Sequence, residues 1–278
     1  MSRPRFLAIV SSATLATFLA GNANGTPDGF VIEAPQAGGH NAPPRGRPQL
    51  DDGGEPVYGP RDRIDHAGIA ALGLPFWLAG GYATPERLAD ALARGACGVQ
   101  VGTACALCDE SGIEPGLKRR LLDQAIDRVA VVRTDPVASP TGFPFKLAEV
   151  EGTSSDPAVA EARERRCDLG YLREPYRRPD GAVGYRCAAE PVEDRVRKGG
   201  QAEDTEDRRC LCNGRVATIG LGQVRRDGYE EPSLVTAGDD LLEAARYLAD
   251  GRRSFGARDV LAHLLGEAAL APVGAGAG

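Results

Sequence analysis

A histidine and three glycine-containing turns are the residues of this 278-residue chain whose types and spacing could do chemistry. Gly38-Gly39 directly precedes His40, whereas Gly80-Gly81 and Gly102-Thr103 each follow a short apolar run. An imidazole can take up or release a proton near neutral pH. Glycine lets a phosphate approach the backbone closely, where N–H groups donate to it. The pattern therefore predicts an anion-binding site beside an acid–base group.

Simpler interpretations exist for both kinds of residue. Glycine pairs also serve as plain turns in αβ units, and His40 could be an incidental residue of a surface loop. The other histidines, His66 and His263, lie inside helical patterns, where a packed or solvated role is expected. His40 alone follows a glycine pair at a predicted strand end, which favours a chemical role for it.

Short apolar strands that alternate with helices must position these residues. This alternation predicts a parallel α/β sheet, in which the carboxyl ends of the strands meet at one edge and bring the glycine turns together. The predicted strands cover residues 6–10, 29–33, 75–79 and 98–101.

Capping signals set the bounds of the intervening helices. Ser12 predicts a helix from Ala13 that ends at Gly21, with Leu15, Phe18 and Leu19 on its apolar face. A second helix is expected from Asp62 to about Leu72. A third lies between the N-cap Thr84, which is followed by Pro85, and Gly95.

The first 25 residues could instead be a secretory signal, because basic residues precede an apolar run and a small-residue segment at 20–23. A signal peptide does not require a helix stop followed at once by a second buried strand. We therefore interpret the opening as a βα unit and expect the N-terminus to be retained.

Composition excludes several classes of partner. The net charge of −6 gives no electrostatic reason to expect nucleic acid or an anionic membrane, and no apolar run is long enough to span a bilayer. Seven cysteines, an odd number, lie unevenly along the chain, which argues against a secreted disulfide framework. We expect a cytoplasmic protein.

The second half of the chain has weaker patterns. Helices are expected at residues 115–128, 239–247 and 257–265, a loop at 135–145, and a disordered tail at 271–278. Between residues 161 and 226 the sequence is charged and has no clear period. It contains Cys167, Cys187, Cys210 and Cys212, whose spacing is diffuse for zinc, so plain thiols are preferred to a metal site.

Three motifs in order resemble the second half of the nitronate monooxygenase family, formerly called 2-nitropropane dioxygenases, over about residues 5–146. They are EAPQAGGH, PFWLAGGYATPERLADALARGACGVQVGT and ACALCDESG. The family consists of FMN-dependent barrels and is similar to a flavin-dependent enoyl reductase. The resemblance implies that His40 is the catalytic residue. It also implies FMN contacts from Gly38, Gly80, Gly81, Gln100, Val101, Gly102 and Thr103, the last four holding the phosphate.

The chain departs from the family pattern in two ways. Gln36 stands where the family usually has Glu, and a longer Pro-rich loop follows His40. The family barrel also has four strands before the one that begins at Phe6. We therefore expect residues 1–146 to form the C-terminal half of a TIM-type (β/α)8 barrel, with an irregular cysteine-containing extension at 147–278. Such a half-barrel is either part of a longer protein or must pair, for example by self-association.

Three functional hypotheses follow. The resemblance implies oxidation of an alkyl nitronate or nitroalkane, with no metal ion required. A flavin-dependent enoyl reductase is the nearest alternative. The third hypothesis is a non-catalytic fragment that binds a partner or a metal.

Overall fold

The computed structural model describes residues 3–22, 24–248 and 251–266. The predicted tail at 271–278 lies outside the described residues, as does part of the 20–23 segment.

The helices are α1 Ala13–Asn22, α2 His66–Ala70, α3 Pro85–Ala93, α4 Thr103–Leu107, α5 Pro115–Ile126, α6 Pro157–Ala162, α7 Val192–Arg197, α8 Leu211–Thr218 and α9 Ala257–Leu265. The strands are β1 Leu7–Val10, β2 Gly29–Glu33, β3 Gly39–His40, β4 Phe76–Ala79, β5 Gly98–Gln100, β6 Val132–Asp135, β7 Phe145–Ala148, β8 Glu174–Arg177 and β9 Val183–Arg186. Three 3-10 helices cover Pro60–Asp62, Glu203–Thr205 and Asp239–Tyr247.

A four-stranded parallel sheet in the order β1-β2-β4-β5 confirms the predicted α/β class. The two central strands, β2 and β4, bury nearly every residue, as parallel strands covered on both faces do. Successive strands of this sheet lie side by side in chain order, which agrees with consecutive strands of a βα barrel. Their carboxyl ends share one edge, where the glycine turns follow.

Helix α1 begins as predicted but packs through a different face. The Ser12 hydroxyl accepts from the Leu15 N–H at 3.1 Å, which is the expected cap. The helix continues through Gly21, so the predicted stop there is wrong. Fully buried Ala16 faces the core. Small residues let the helix approach the sheet closely, and Leu19 packs against the core cluster as predicted, whereas the side chains of Leu15 and Phe18 are exposed.

Helix α2 starts later than predicted. Asp62 closes the 3-10 turn by accepting from the Gly59 N–H at 2.7 Å. Asp65 is the actual N-cap, and its carboxylate accepts from the Gly68 N–H at 2.9 Å. Helix α3 begins at the expected cap, since Thr84 Oγ1 accepts from the Arg87 N–H at 3.3 Å.

A second sheet, antiparallel and in the order β3-β7-β6, was missed in the sequence. The loop predicted at 135–145 is present as the turn of a β6–β7 hairpin, although its end residues Asp135 and Phe145 belong to the strands, and His40 pairs with Phe145 on the hairpin's edge. Three prolines and a glycine in the turn obscured the hairpin pattern. The strands β8 and β9 form a separate antiparallel pair inside the charged segment.

The main core cluster contains residues from both the barrel-like part and the extension. Leu117, Leu121 and Leu122 of α5 pack with Leu241, and with Phe255 from the segment before α9. Leu241 and Phe255 of the extension are therefore packed against α5 through apolar contacts. None of the described helices is long and apolar enough to cross a membrane.

Candidate flavin-binding and proton-transfer site

Six of the seven residues expected to contact FMN line one cavity of about 240 Å³ at the carboxyl edge of the parallel sheet. The chain reverses sharply after β4, where Gly80 and Gly81 have φ of +91° and +78°, a region that favours glycine. A Cβ atom added at Gly102 would meet nothing within 4 Å, so the backbone there borders open space. The six residues are Gly38, Gly80, Gly81, Gln100, Gly102 and Thr103.

Val101, the seventh predicted contact, does not line this cavity. It is half-buried and packs against the main core cluster. A contact between FMN and Val101 stays a prediction.

A segment of the extension closes the cavity. Thr103 Oγ1 accepts from the Gly238 N–H at 2.8 Å, and the Asp239 N–H donates to the Gln36 carbonyl at 3.0 Å. A Cβ atom on Gly38 would lie 2.7 Å from the Ala237 carbonyl carbon, so the close approach of this segment explains the glycine. Sequence reasoning missed these residues. The available signal was the short apolar run Leu234-Val235. Gly238 follows it closely, as glycines follow the predicted strands.

Residues of the extension also supply polar groups to the cavity lining. Arg215 of α8 and Asp240 line it together with Glu33 at the end of β2. Burial raises the pKa of Glu33 and of Asp240. The nearest cation to Asp240 is Arg246, whose Nη2 lies 3.9 Å from its carboxylate.

His40 lines a neighbouring cavity of about 300 Å³. Glu33 borders both cavities, so the two are adjacent along the edge of β2. The second cavity is mostly apolar, with Ile9, Val10 and Phe143 on its wall, and Arg45 and Tyr58 at its polar side. It could hold a small organic substrate beside the imidazole.

The surroundings of His40 orient its ring. Its Nε2 lies 2.7 Å from the hydroxyl of fully buried Ser139. The His40 and Phe145 rings pack edge to face, with their centroids 4.9 Å apart. The Ser139 hydroxyl also lies 2.8 Å from Thr141 Oγ1 and accepts from the Thr141 N–H at 3.2 Å. Burial lowers the pKa of His40, which favours the neutral, proton-accepting imidazole. Sequence reasoning did not identify Ser139, because nothing in the sequence pairs it with His40.

The four cysteines of the extension lie near one another. Cys187 and Cys210 are buried, and Cys167 and Cys212 pack against them. Within the residues that the structure describes, no group of three or more His, Cys, Asp or Glu side chains is arranged to hold a metal ion.

These features define a parallel α/β protein with a cavity at the carboxyl ends of its strands, where ligands bind in open α/β sheets. Residues 4–138 match the family model described as nitronate monooxygenase. A comparison with curated proteins gave no match.

Solved structures that match include FabK from Thermotoga maritima, at 17% identity and a TM-score of 0.48, over 94% of this chain and 60% of that one. A mutant of the same FabK matches at 16% identity and a TM-score of 0.45, over 94% of this chain and 58% of that one. The chain therefore spans about three fifths of the length of these structures.

Proposed function

We propose that this chain is part of an FMN-dependent oxidoreductase that oxidises alkyl nitronates. The observation that carries the proposal is the position of the glycine turns. Within the segment that matches the nitronate monooxygenase family, turns that are far apart in sequence converge on one cavity. Flavin is the family's cofactor, and these backbone turns suit a flavin that carries a phosphate.

The volume of the cavity suits the phosphate end of FMN. Its volume of about 240 Å³ is below the range of roughly 300–1,000 Å³ usual for a whole ligand site. The cavity therefore accommodates the phosphate and the chain attached to it, with Gly80, Gly81, Gly102 and Thr103 around them. The neighbouring cavity beside His40 is left for the substrate.

His40 acts as the base when the substrate is a neutral nitroalkane. The carbon–hydrogen bond breaks, the imidazole takes the proton, and the electron pair moves into the nitro group to form the nitronate. When the Nε2–H donates to Ser139, Nδ1 holds the lone pair that accepts this proton. Bound FMN supplies the electron acceptor for oxidation of the nitronate, and a nitronate added directly does not need the base.

Steady-state assays of the purified protein, reconstituted with FMN, test the proposal. We expect oxygen uptake with a primary alkyl nitronate and slower uptake with the corresponding nitroalkane at the same pH. Oxidation of a reduced nicotinamide by an enoyl thioester, without activity on nitronates, would instead establish the enoyl reductase. Lack of flavin binding together with a stoichiometric bound protein would favour the non-catalytic alternative.

The same proposal includes two further statements: the protein is cytoplasmic, and it self-associates. All seven cysteines are free thiols, which suits a reducing compartment.

Strand β1 pairs only with β2 in the described sheet, and Leu7 and Ile9 on it are exposed. An exposed apolar strand edge can pair with another strand. Sedimentation at increasing protein concentration measures whether a second copy does so.

A further inference from the structure

Arg215 brings a positive charge to the glycine-lined cavity from outside the segment that matches the family. Of the described residues that line this cavity, Arg215 alone is a cation. Its position follows from the way α8 is held. Gly214 packs so closely that its added Cβ would lie 2.6 Å from the Leu234 side chain, and the Leu234 N–H donates to the Gly214 carbonyl at 3.0 Å.

A second anchor fixes the end of the same helix. The hydroxyl oxygen of buried Thr218 lies 2.7 Å from the Leu234 carbonyl oxygen and 2.9 Å from the Gly214 carbonyl oxygen, and its single hydrogen is shared between these two acceptors. Leu234 is fully buried in a small apolar cluster with Leu211. The backbone that carries Arg215 is therefore held against the segment that closes the cavity.

The guanidinium of Arg215 has no counter-charge. Within residues 3–22, 24–248 and 251–266 it has no hydrogen bond or ion pair, although its side chain is exposed. Desolvation by the nearby protein lowers its pKa, so protein lies close to part of this otherwise exposed side chain and supplies no counter-charge. Most other arginines of the extension are paired, for example Arg163 with Glu231 and Arg195 with Asp204.

The acidic residues of the cavity do not pair with Arg215. Glu33 and Asp240 line the same space without bonding to it, and burial raises the pKa of both carboxyls. A cation that is partly desolvated and unpaired is stabilised by an anion that enters the cavity. The planar guanidinium, with two parallel N–H donors, matches the oxygens of a phosphate.

We infer that Arg215 pairs with the phosphate monoester of the bound flavin and so makes the site selective for FMN over riboflavin, which lacks the phosphate. This inference rests on the proposed function, since it assumes a flavin in the cavity. The glycine turns provide neutral backbone donors, and Arg215 adds the charge. The extension thereby completes a site whose other parts lie in the family-like segment.

Binding titrations with FMN and with riboflavin, followed by flavin fluorescence, test the inference in the wild-type chain and in Arg215→Gln. We expect Arg215→Gln to weaken FMN binding about 10- to 100-fold, as for loss of a hydrogen bond to a charged group. Riboflavin binding should be unchanged. The salt dependence of FMN binding should also decrease, because one cation–anion pair is removed.

Two further variants control for charge and for folding. Arg119→Gln removes an exposed arginine of α5 that does not line the cavity, and it should bind both flavins as the wild type does. Arg215→Lys keeps the charge without the two-pronged donor and should lose less FMN affinity than Arg215→Gln. Circular dichroism melting curves verify that each variant is folded.

The outcomes separate this inference from the function it rests on. Unchanged FMN affinity in folded Arg215→Gln, or equal losses for FMN and riboflavin, would overturn the role of Arg215 and leave the flavin site standing. A wild-type chain that binds neither flavin would refute the flavin site itself, and the role of Arg215 with it.

Discussion

His40 Nε2 lies 2.7 Å from the hydroxyl oxygen of Ser139, which is fully buried at the turn of the β6–β7 hairpin. This hydrogen bond joins the histidine of the parallel-sheet edge to a residue nearly a hundred positions later. It selects one ring nitrogen as the bonded one and leaves the other for proton transfer. In the proposed function, Ser139 therefore positions His40 as the base without being a base itself.

Replacement of Ser139 by Ala should reduce turnover of a neutral nitroalkane more than turnover of the nitronate. Without the hydroxyl the imidazole loses the partner that fixes its orientation. We expect a loss of about 10-fold, the size of a typical hydrogen bond of about 1 kcal/mol or slightly more. Ser139→Thr, which retains a hydroxyl, should recover part of the activity. Equal losses on both substrates would show that the hairpin turn affects the whole site.

The pH profile for neutral nitroalkanes should reflect the lowered pKa of His40. Burial disfavours the imidazolium, so the base is already free at pH values slightly below its usual 6.5. Activity should persist at pH 6.5 and decline only as the pH falls through the lowered value. The nitronate profile should lack this limb. A nitroalkane profile whose acid limb lies above pH 7 would contradict the assignment of this group as the base.

The buried pair Arg163–Glu231 should stabilise the extension. Arg163 Nε lies 2.7 Å from the Glu231 carboxylate, and the two side chains are only 7% and 1% exposed. Replacement of Glu231 by Gln leaves the guanidinium without its counter-charge, so the free energy of unfolding should fall by about 3–5 kcal/mol. Urea denaturation measures this change. Removal of the exposed pair Arg178–Asp180 provides the control and should cost less than about 1 kcal/mol.

The cysteine cluster should behave as thiols, with Cys167 the most acidic. A hydrogen bond from the Cys187 thiol and the nearby Arg173 guanidinium lower the pKa of Cys167, whereas burial raises the pKa of Cys105. Iodoacetamide should therefore alkylate Cys167 already at pH 7. Cys105 should react slowly at pH 7, and its rate should increase as the pH rises. Peptide mass spectrometry measures the alkylation of each cysteine. Arg173→Gln should move the Cys167 profile to higher pH.

Metal analysis of the same protein complements the alkylation. Cys210→Ser should leave the metal content unchanged if the four residues are plain thiols. About one zinc per chain in the wild type, lost in Cys210→Ser, would overturn that expectation.

The parallel sheet could be predicted from the sequence because local signals determine it. Short apolar strands, the caps Ser12 and Thr84 and the glycine turns each depend on a few adjacent residues. The small sheet around His40 could not be predicted, because β3 has only two residues and its partner β7 lies far along the chain. Such pairing depends on tertiary contacts that no local pattern records.

The residues of the candidate site also differ in whether local sequence signals reveal them. The glycines and His40 were identified from motifs, whereas Ser139, Gly238 and Arg215 reach the site through contacts between distant segments. Ser139 and Arg215 lie in segments without a clear period, and nothing in the sequence around Gly238 pairs it with Thr103. Only the folded chain shows that the extension contributes to the cavity.

Replacement of His40 by Asn should remove most turnover of neutral nitroalkane while FMN stays bound. The amide cannot accept the proton that the imidazole takes, and the loss should be about 10²- to 10⁴-fold, as for other general bases. FMN affinity should be retained, because Gly80, Gly81, Gly102 and Thr103 line a different cavity from His40. Flavin titration of the variant checks that expectation.

A nitronate that is already deprotonated should be oxidised by His40→Asn with a much smaller loss. Parallel assays of both substrates with the wild type and the variant make the comparison. His40→Gln, with a longer amide, controls for the shape of the side chain and should show the same selectivity between substrates. Equal losses on nitroalkane and nitronate would mean that His40 positions the substrate or the flavin and that another group removes the proton.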